Sequence, residues 1–124
     1  MKKLIFSLLM FISCSAWSEW VLVDATDWGE TYVDPRTIRR EGTIRKFWLL
    51  GDAKVRTKTG YMSFRARVEI DCKKERKRIT ALHSFRDSML KGLLGESANY
   101  PNDEWSDIPP GNTDEATMEY VCAK

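Results

Sequence analysis

Residues 61–72, Tyr61-Met-Ser-Phe-Arg-Ala-Arg-Val-Glu-Ile-Asp-Cys72, alternate almost without fault. Met62, Phe64, Ala66, Val68, Ile70 and Cys72 fall on one side, and Tyr61, Ser63, Arg65, Arg67, Glu69 and Asp71 on the other. A side-chain period of two belongs to a strand with one buried face. The stretch therefore predicts a half-buried antiparallel strand with Cys72 on its core side. The next residues, Lys73-Lys-Glu-Arg-Lys-Arg78, are polar and turn the chain, and Ile79-Thr-Ala-Leu-His-Ser-Phe85 reads as a second strand. The basic run thus sits at or near a hairpin.

Outward from this hairpin, Glu19 to Asp24 and Thr31 to Val33 read as short strands separated by a turn at Asp27-Trp-Gly29. Ile44 to Gly51 is apolar on both faces, which predicts a central strand. Between them, Asp34 to Arg40 reads as one helical turn, because Asp34 can cap it and Pro35 suits its first position, with Gly42 ending it. Met89 to Leu94 is an apolar segment of either type, and Glu96 to Asn112, with three prolines, reads as an irregular loop. The last segment, Asn112 to Cys122, opens on a capping residue and the acids Asp114 and Glu115, which predicts a C-terminal helix.

The N-terminus decides the compartment. Lys2 and Lys3, an apolar run from Leu4 to Ile12, and small residues at Ala16 and Ser18 form a secretory leader, so residues 1–18 are expected to be removed, leaving one domain over 19–124. An alternative cut before Cys14 would leave a lipid-anchored protein. The apolar run is shorter than the ~20 residues needed to span a bilayer, and no later segment is apolar enough to try. Without the leader the 20 basic residues lose two and equal the 18 acidic ones, so no whole-domain attraction to nucleic acid is left. The charge is uneven: 36–58 and 65–78 are rich in Lys and Arg, whereas the charges between Asp103 and Glu119 are all acidic. Loss of Cys14 with the leader leaves Cys72 and Cys122 as a pair in an oxidising compartment, which predicts a disulfide. That bond would pin the helix to the core face of the 61–72 strand and gives an α+β arrangement, a sheet with one tethered helix.

Among possible sites, Lys73, Lys74, Arg76, Lys77 and Arg78 would create a local positive field suited to sulfated glycans or acidic protein patches. Solvated turn charges are the plainer reading, and Glu75 dilutes the patch. His83, the single histidine, lies on the side of Ala81 and Phe85 and reads as a packed residue rather than a catalytic base. No acidic pair stands out, so no enzyme is expected. Asp24 to Glu30 lacks calcium-loop spacing and no His/Cys set suits zinc, so no metal or other cofactor is expected. The tryptophans read as packing residues, with Trp28 and Trp105 the two to test for exposure. An exported chain with no aromatic-basic groove is not expected to bind nucleic acid.

Trp20, Tyr32-Val33-Asp34 followed by Ile38-Arg39-Arg40, Trp48, Ser63, Glu69-Ile70-Asp71-Cys72, Gly92, Trp105-Ser-Asp-Ile108-Pro-Pro-Gly111 and Tyr120-Val-Cys122 resemble the surface-adhesin protein E family over nearly the whole mature chain. Asn112 stands where that pattern has Ser, and caps a helix about as well. The resemblance implies a twisted antiparallel sheet of about six strands with a C-terminal helix held on one face by the disulfide. It also implies a surface adhesin of a Gram-negative bacterium that binds host matrix and serum proteins such as laminin, vitronectin and plasminogen. A homodimer through the sheet face or edge is compatible with such a fold. The other class is a small periplasmic domain with a structural, chaperone-like or ligand-binding task, which would show a concave apolar pocket on the sheet face left open by the helix.

Overall fold

The computed structural model describes residues 19–101 and 103–124; the leader expected at 1–18, and with it the alternative cut before Cys14, lies outside the described residues. The strands are β1 (Val21–Ala25), β2 (Gly29–Val33), β3 (Arg39–Glu41), β4 (Ile44–Ala53), β5 (Ser63–Asp71), β6 (Arg76–Phe85), β7 (Leu94–Asn99) and β8 (Ser106–Asp107), followed by helix α1 (Thr113–Cys122). They form one antiparallel sheet in the order β1-β2-β4-β5-β6-β7, with β3 also pairing β4 and β8 also pairing β6. This is the expected α+β architecture, and β4 is central as its two-sided apolar pattern requires.

The helix lies on one face of the sheet, over the even-numbered residues of β5. Phe47 pairs with Val68 and Leu49 with Ala66 on that face, and these join Val33, Ile70, Ile108 and Val121 in the core. Val33 and Val121 are wholly buried, and each such side chain stabilises by about 1.5–3 kcal/mol. Helix α1 starts where Asn112 accepts a hydrogen bond from the Glu115 amide at 3.1 Å, while the Glu115 carboxylate accepts from the Gly111 amide at 2.7 Å. The Thr113 hydroxyl donates to Asp24 of β1 at 2.7 Å. At the other end Cys122 is bonded to Cys72, with Cα atoms 5.9 Å apart across a separation of 50 residues.

A bulge in β6 sets what each face carries. Arg67 pairs with Ala81 but Val68 with Ile79, so Thr80 is the extra residue. Ile79 and Leu82 are three apart and would face opposite ways in a regular strand; the bulge turns both toward the core. The same step places Arg76 and Arg78 on one face with Ala81, His83 and Phe85, the face away from the helix.

Two local expectations are corrected. The turn after Asp34 is a single 3-10 turn, Pro35–Thr37, and Arg39–Glu41 leaves it as a strand. Ile38 is already extended (φ −67°, ψ 122°), and Gly42, at φ +59°, opens the two-residue loop of the β3–β4 hairpin instead of ending a helix. Likewise 96–112 is not wholly irregular, because β7 and β8 pair with opposite ends of β6. Their side chains are mostly small or polar and carry no period-two signal. What recruits them is the unpaired backbone edge of β6.

Candidate functional site

The face opposite the helix is crossed at one end by the 3-10 turn Ser88–Leu90, where the Met89 amide donates to Asp52 at 2.8 Å and the Leu90 amide to Ser63 at 2.8 Å, and it is open around Trp48. The register places Trp48 opposite Arg67, Lys46 opposite both Arg39 and Glu69, and Arg65 opposite His83. Arg65 and Arg67 are exposed. The Arg65 guanidinium lies 5.6 Å from the Trp48 ring and 5.8 Å from the Phe85 ring, and its Nε donates to His83 Nδ1 at 2.9 Å. His83 itself sits 5.9 Å from Trp48. Four side chains from three strands are therefore interlocked, and His83 is a packing and accepting group within them.

Two shallow hollows flank Trp48. One, of about 250 Å³, is lined by Arg36, Arg39, Lys46 and Arg67; the other, of about 330 Å³, by Trp20, Asp34 and Arg65. Thr37 and Trp48 line both, so the two hollows adjoin at the indole as a two-lobed groove. Lys46 is balanced by Glu41 at 3.2 Å and Glu69 at 4.0 Å, and Arg36 by Asp34 at 3.4 Å. Among the described residues no carboxylate reaches within 4.0 Å of Arg39, Arg65 or Arg67. Five cations thus face three carboxylates, and the groove is positive.

The structure separates the basic run 73–78. Lys73 and Lys74 are exposed on the four-residue tip of the β5–β6 hairpin, while Arg76, Lys77 and Arg78 lie within β6. Lys77 points to the helix side and pairs with Asp114 at 2.8 Å. On the other face Arg78 pairs with Glu69 at 2.9 Å, and Arg76 and Arg78 stand 5.7 and 4.4 Å from the Trp105 ring. The tip is held by the buried Asp71, whose Oδ1 accepts from the Lys73 and Lys74 amides, both at 3.1 Å, and from the Thr43 hydroxyl at 3.2 Å. The Lys74 amide bond above all, with those from Lys73 and Thr43, keeps the Asp71 carboxyl below its ordinary range against the opposing effect of burial.

The aromatic-basic groove corrects the expectation that the chain has none. Its parts come from the turn after Asp34, from β3, from β4 and from β5, so no contiguous motif announces it. The available signal was the outward set of the 61–72 alternation, which places Arg65 and Arg67 together on the open side. Of the two tryptophans singled out, Trp28 is 45% exposed and packs by one edge on Phe64, 6.0 Å between ring centres, whereas Trp105 is half-buried against the two arginines. Residues 24–30 form a turn in which Thr26 N donates to Gly29 O at 2.8 Å. A third hollow, lined by Leu49, Phe64, Ile79 and Thr117, is more apolar but lies between helix and sheet and holds only about 130 Å³, below the ~300 Å³ at which ligand pockets ordinarily begin.

The groove, the disulfide and the helix placement can be set beside known proteins. No curated protein sequence matches the chain. Among solved structures, crystal form II of Haemophilus influenzae protein E matches at TM-score 0.68 and 13% identity, covering 94% of this chain and 97% of that one. A second structure of Haemophilus influenzae protein E matches at TM-score 0.62 and 14% identity over 92% of this chain and 91% of that one. Protein E from non-typeable Haemophilus influenzae matches at 0.62 and 12%, over 94% and 83%. At these identities the likeness establishes the fold. Among the described residues no helix is long and apolar enough to cross a membrane. The family model for surface-adhesin protein E matches residues 20–123, nearly all of the described chain, and the chain therefore belongs to that family.

Proposed function

We propose that the protein is an exported, non-enzymatic binding module that acts at the outer surface of a Gram-negative cell, and that its contact surface is the open face of the sheet. The single observation that carries this is the uncovered groove of Arg36, Arg39, Arg65 and Arg67 around Trp48, on the face away from the tethered helix. Membership in a surface-adhesin family supports the same reading. The partners proposed are host matrix or serum proteins, laminin, vitronectin and plasminogen, engaged through their acidic patches. Lys73 and Lys74 at the hairpin tip, with Arg76 and Arg78 behind them on the open face, supply a second cationic contact in this reading, while Lys77 of the same run faces the helix side and is paired with Asp114. Self-pairing through β7 is part of it as well, since among the described residues β7 is a sheet edge, with Leu94 at its start 53% exposed and Leu93 just before it 77% exposed.

The test is protease shaving of a C-terminally tagged copy in intact cells, with permeabilised cells as the control, followed by binding of the displayed protein to the three host proteins. Surface signal and saturable binding that weakens in Lys73→Glu/Lys74→Glu are expected. Signal only after permeabilisation would overturn the adhesin reading and leave a periplasmic domain.

A further inference from the structure

We infer that the groove around Trp48 is a binding site for a sulfated oligosaccharide, distinct from the hairpin tip. The inference deepens the proposed contact role of the open face and rests on that face being exposed to extracellular ligands.

Four observations converge on this ligand class. First, the charge is in excess and local: Arg39, Arg65 and Arg67 have no carboxylate within 4.0 Å among the described residues. Second, the cations are spaced as a lattice. Arg65 and Arg67 are two residues apart on one strand, roughly 7 Å along it, and cross-strand neighbours such as Arg39 and Lys46 stand roughly 5 Å apart. A single small anion would engage one point of that lattice; a chain carrying several sulfates would engage three or four. Third, the groove has an aromatic surface at its centre: Trp48 lines both hollows, with Arg65 over one side of its ring, and Trp20 lines the second hollow. Indole presents an apolar face to the C–H face of a sugar ring, and its flanking guanidiniums present forked donors to sulfate oxygens. Fourth, two of the arms are held in place: Arg39 Nη1 donates to the carbonyls of Arg36 and Ile38, and Arg65 is fixed by His83 and the two rings. Pre-set donors lose less freedom on binding.

The groove also fits such a chain in shape. Both hollows are open to solvent and adjoin at Trp48, so an extended oligosaccharide lying across the indole would place sulfates on either side of it. Lys46 and Arg36, already paired with carboxylates at its rim, restrict where sulfates settle and favour the unpaired Arg39, Arg65 and Arg67.

The experiment uses the purified secreted chain and a heparin-derived tetrasaccharide, read by calorimetry and by tryptophan emission. Saturable binding is expected, with an emission change that is mostly lost in Trp48→Phe. Arg39→Gln/Arg67→Gln should weaken binding about tenfold or more, whereas Lys58→Gln/Lys91→Gln, which removes the same charge from exposed sites elsewhere, should leave it within about twofold. Thermal unfolding of each variant confirms that it is folded, and Arg67→Lys is expected to recover part of the loss. Equal loss in both double variants would overturn the site in favour of diffuse charge. Equally tight binding of inorganic polyphosphate or of a single-stranded oligonucleotide of matched charge would overturn the sugar assignment. No binding would overturn the inference while leaving surface display and host-protein binding, measured separately on the same chain, to stand or fall alone.

Discussion

Asp71 shows how one carboxylate can organise a hairpin tip. Its oxygen takes two backbone amides and a hydroxyl, so the tip that carries Lys73 and Lys74 is shaped before any ligand arrives. Because its folded-state pKa is lowered, the stabilisation is present above the ordinary Asp value of 3.8 and is lost as pH falls through the depressed one. Asp71→Asn is expected to destabilise by about 1–2 kcal/mol at neutral pH and to flatten the acid limb of a stability-against-pH curve measured by urea unfolding. Tyr32 gives the opposite limb. Its hydroxyl donates to Glu30, and this bond, with burial and the nearby Glu30 and Asp52 charges, pushes its pKa up to about 12 from 10.0. The folded chain holds that proton more tightly than the unfolded one, so the contribution is complete below pH 10 and disappears as pH rises toward 12. In Tyr32→Phe the fall in stability across that window should be reduced, as read by unfolding at pH 9 and pH 11.5.

At the scale of elements, the helix and the bulge do different jobs. Helix α1 buries only Thr117 and Val121 deeply, so its attachment depends heavily on its cap, the Lys77–Asp114 pair and the disulfide. Cys72→Ala/Cys122→Ala is expected to cost about 2–4 kcal/mol, seen as a lower unfolding midpoint, with amide exchange rising first in 113–124. The sheet should persist under mild conditions, because β4, β5 and β6 pair along nearly their full lengths. The 61–72 alternation made β5 and the core side of Cys72 legible, and two-sided apolarity made β4 legible as central. β7 escaped because Gly95, Glu96 and Ser97 have no burial pattern; their pairing is a tertiary event on the edge of β6. The Thr80 bulge escaped for a related reason. The three-residue spacing of Ile79 and Leu82 conflicts with a strand and signals a bulge only once both are known to reach the same core.

Across the whole molecule, the uneven charge along the chain becomes a difference between faces. The basic segments 36–58 and 65–78 supply the groove cations, and part of the acidic segment is consumed on the helix side, where Asp114 meets Lys77. The groove was legible only as Arg65 and Arg67 on one side of a strand, because its remaining members come from separate turns and strands. A positive open face predicts that binding to the proposed partners vitronectin and laminin slows in association as ionic strength rises from about 0.05 to 0.5 M, with dissociation changing less. Surface plasmon resonance across that range would show it, and a salt-independent association rate would argue for apolar contacts at β7 instead. The position of Trp20, at the wall of the groove and at the start of the described chain, has a practical corollary. Anything fused directly ahead of it stands at the mouth of the proposed contact face, whereas a fusion after Lys124 follows the helix on the other face of the sheet. Immobilising the protein by its tail would leave the groove free, and tethering it by its head would crowd the very surface under test.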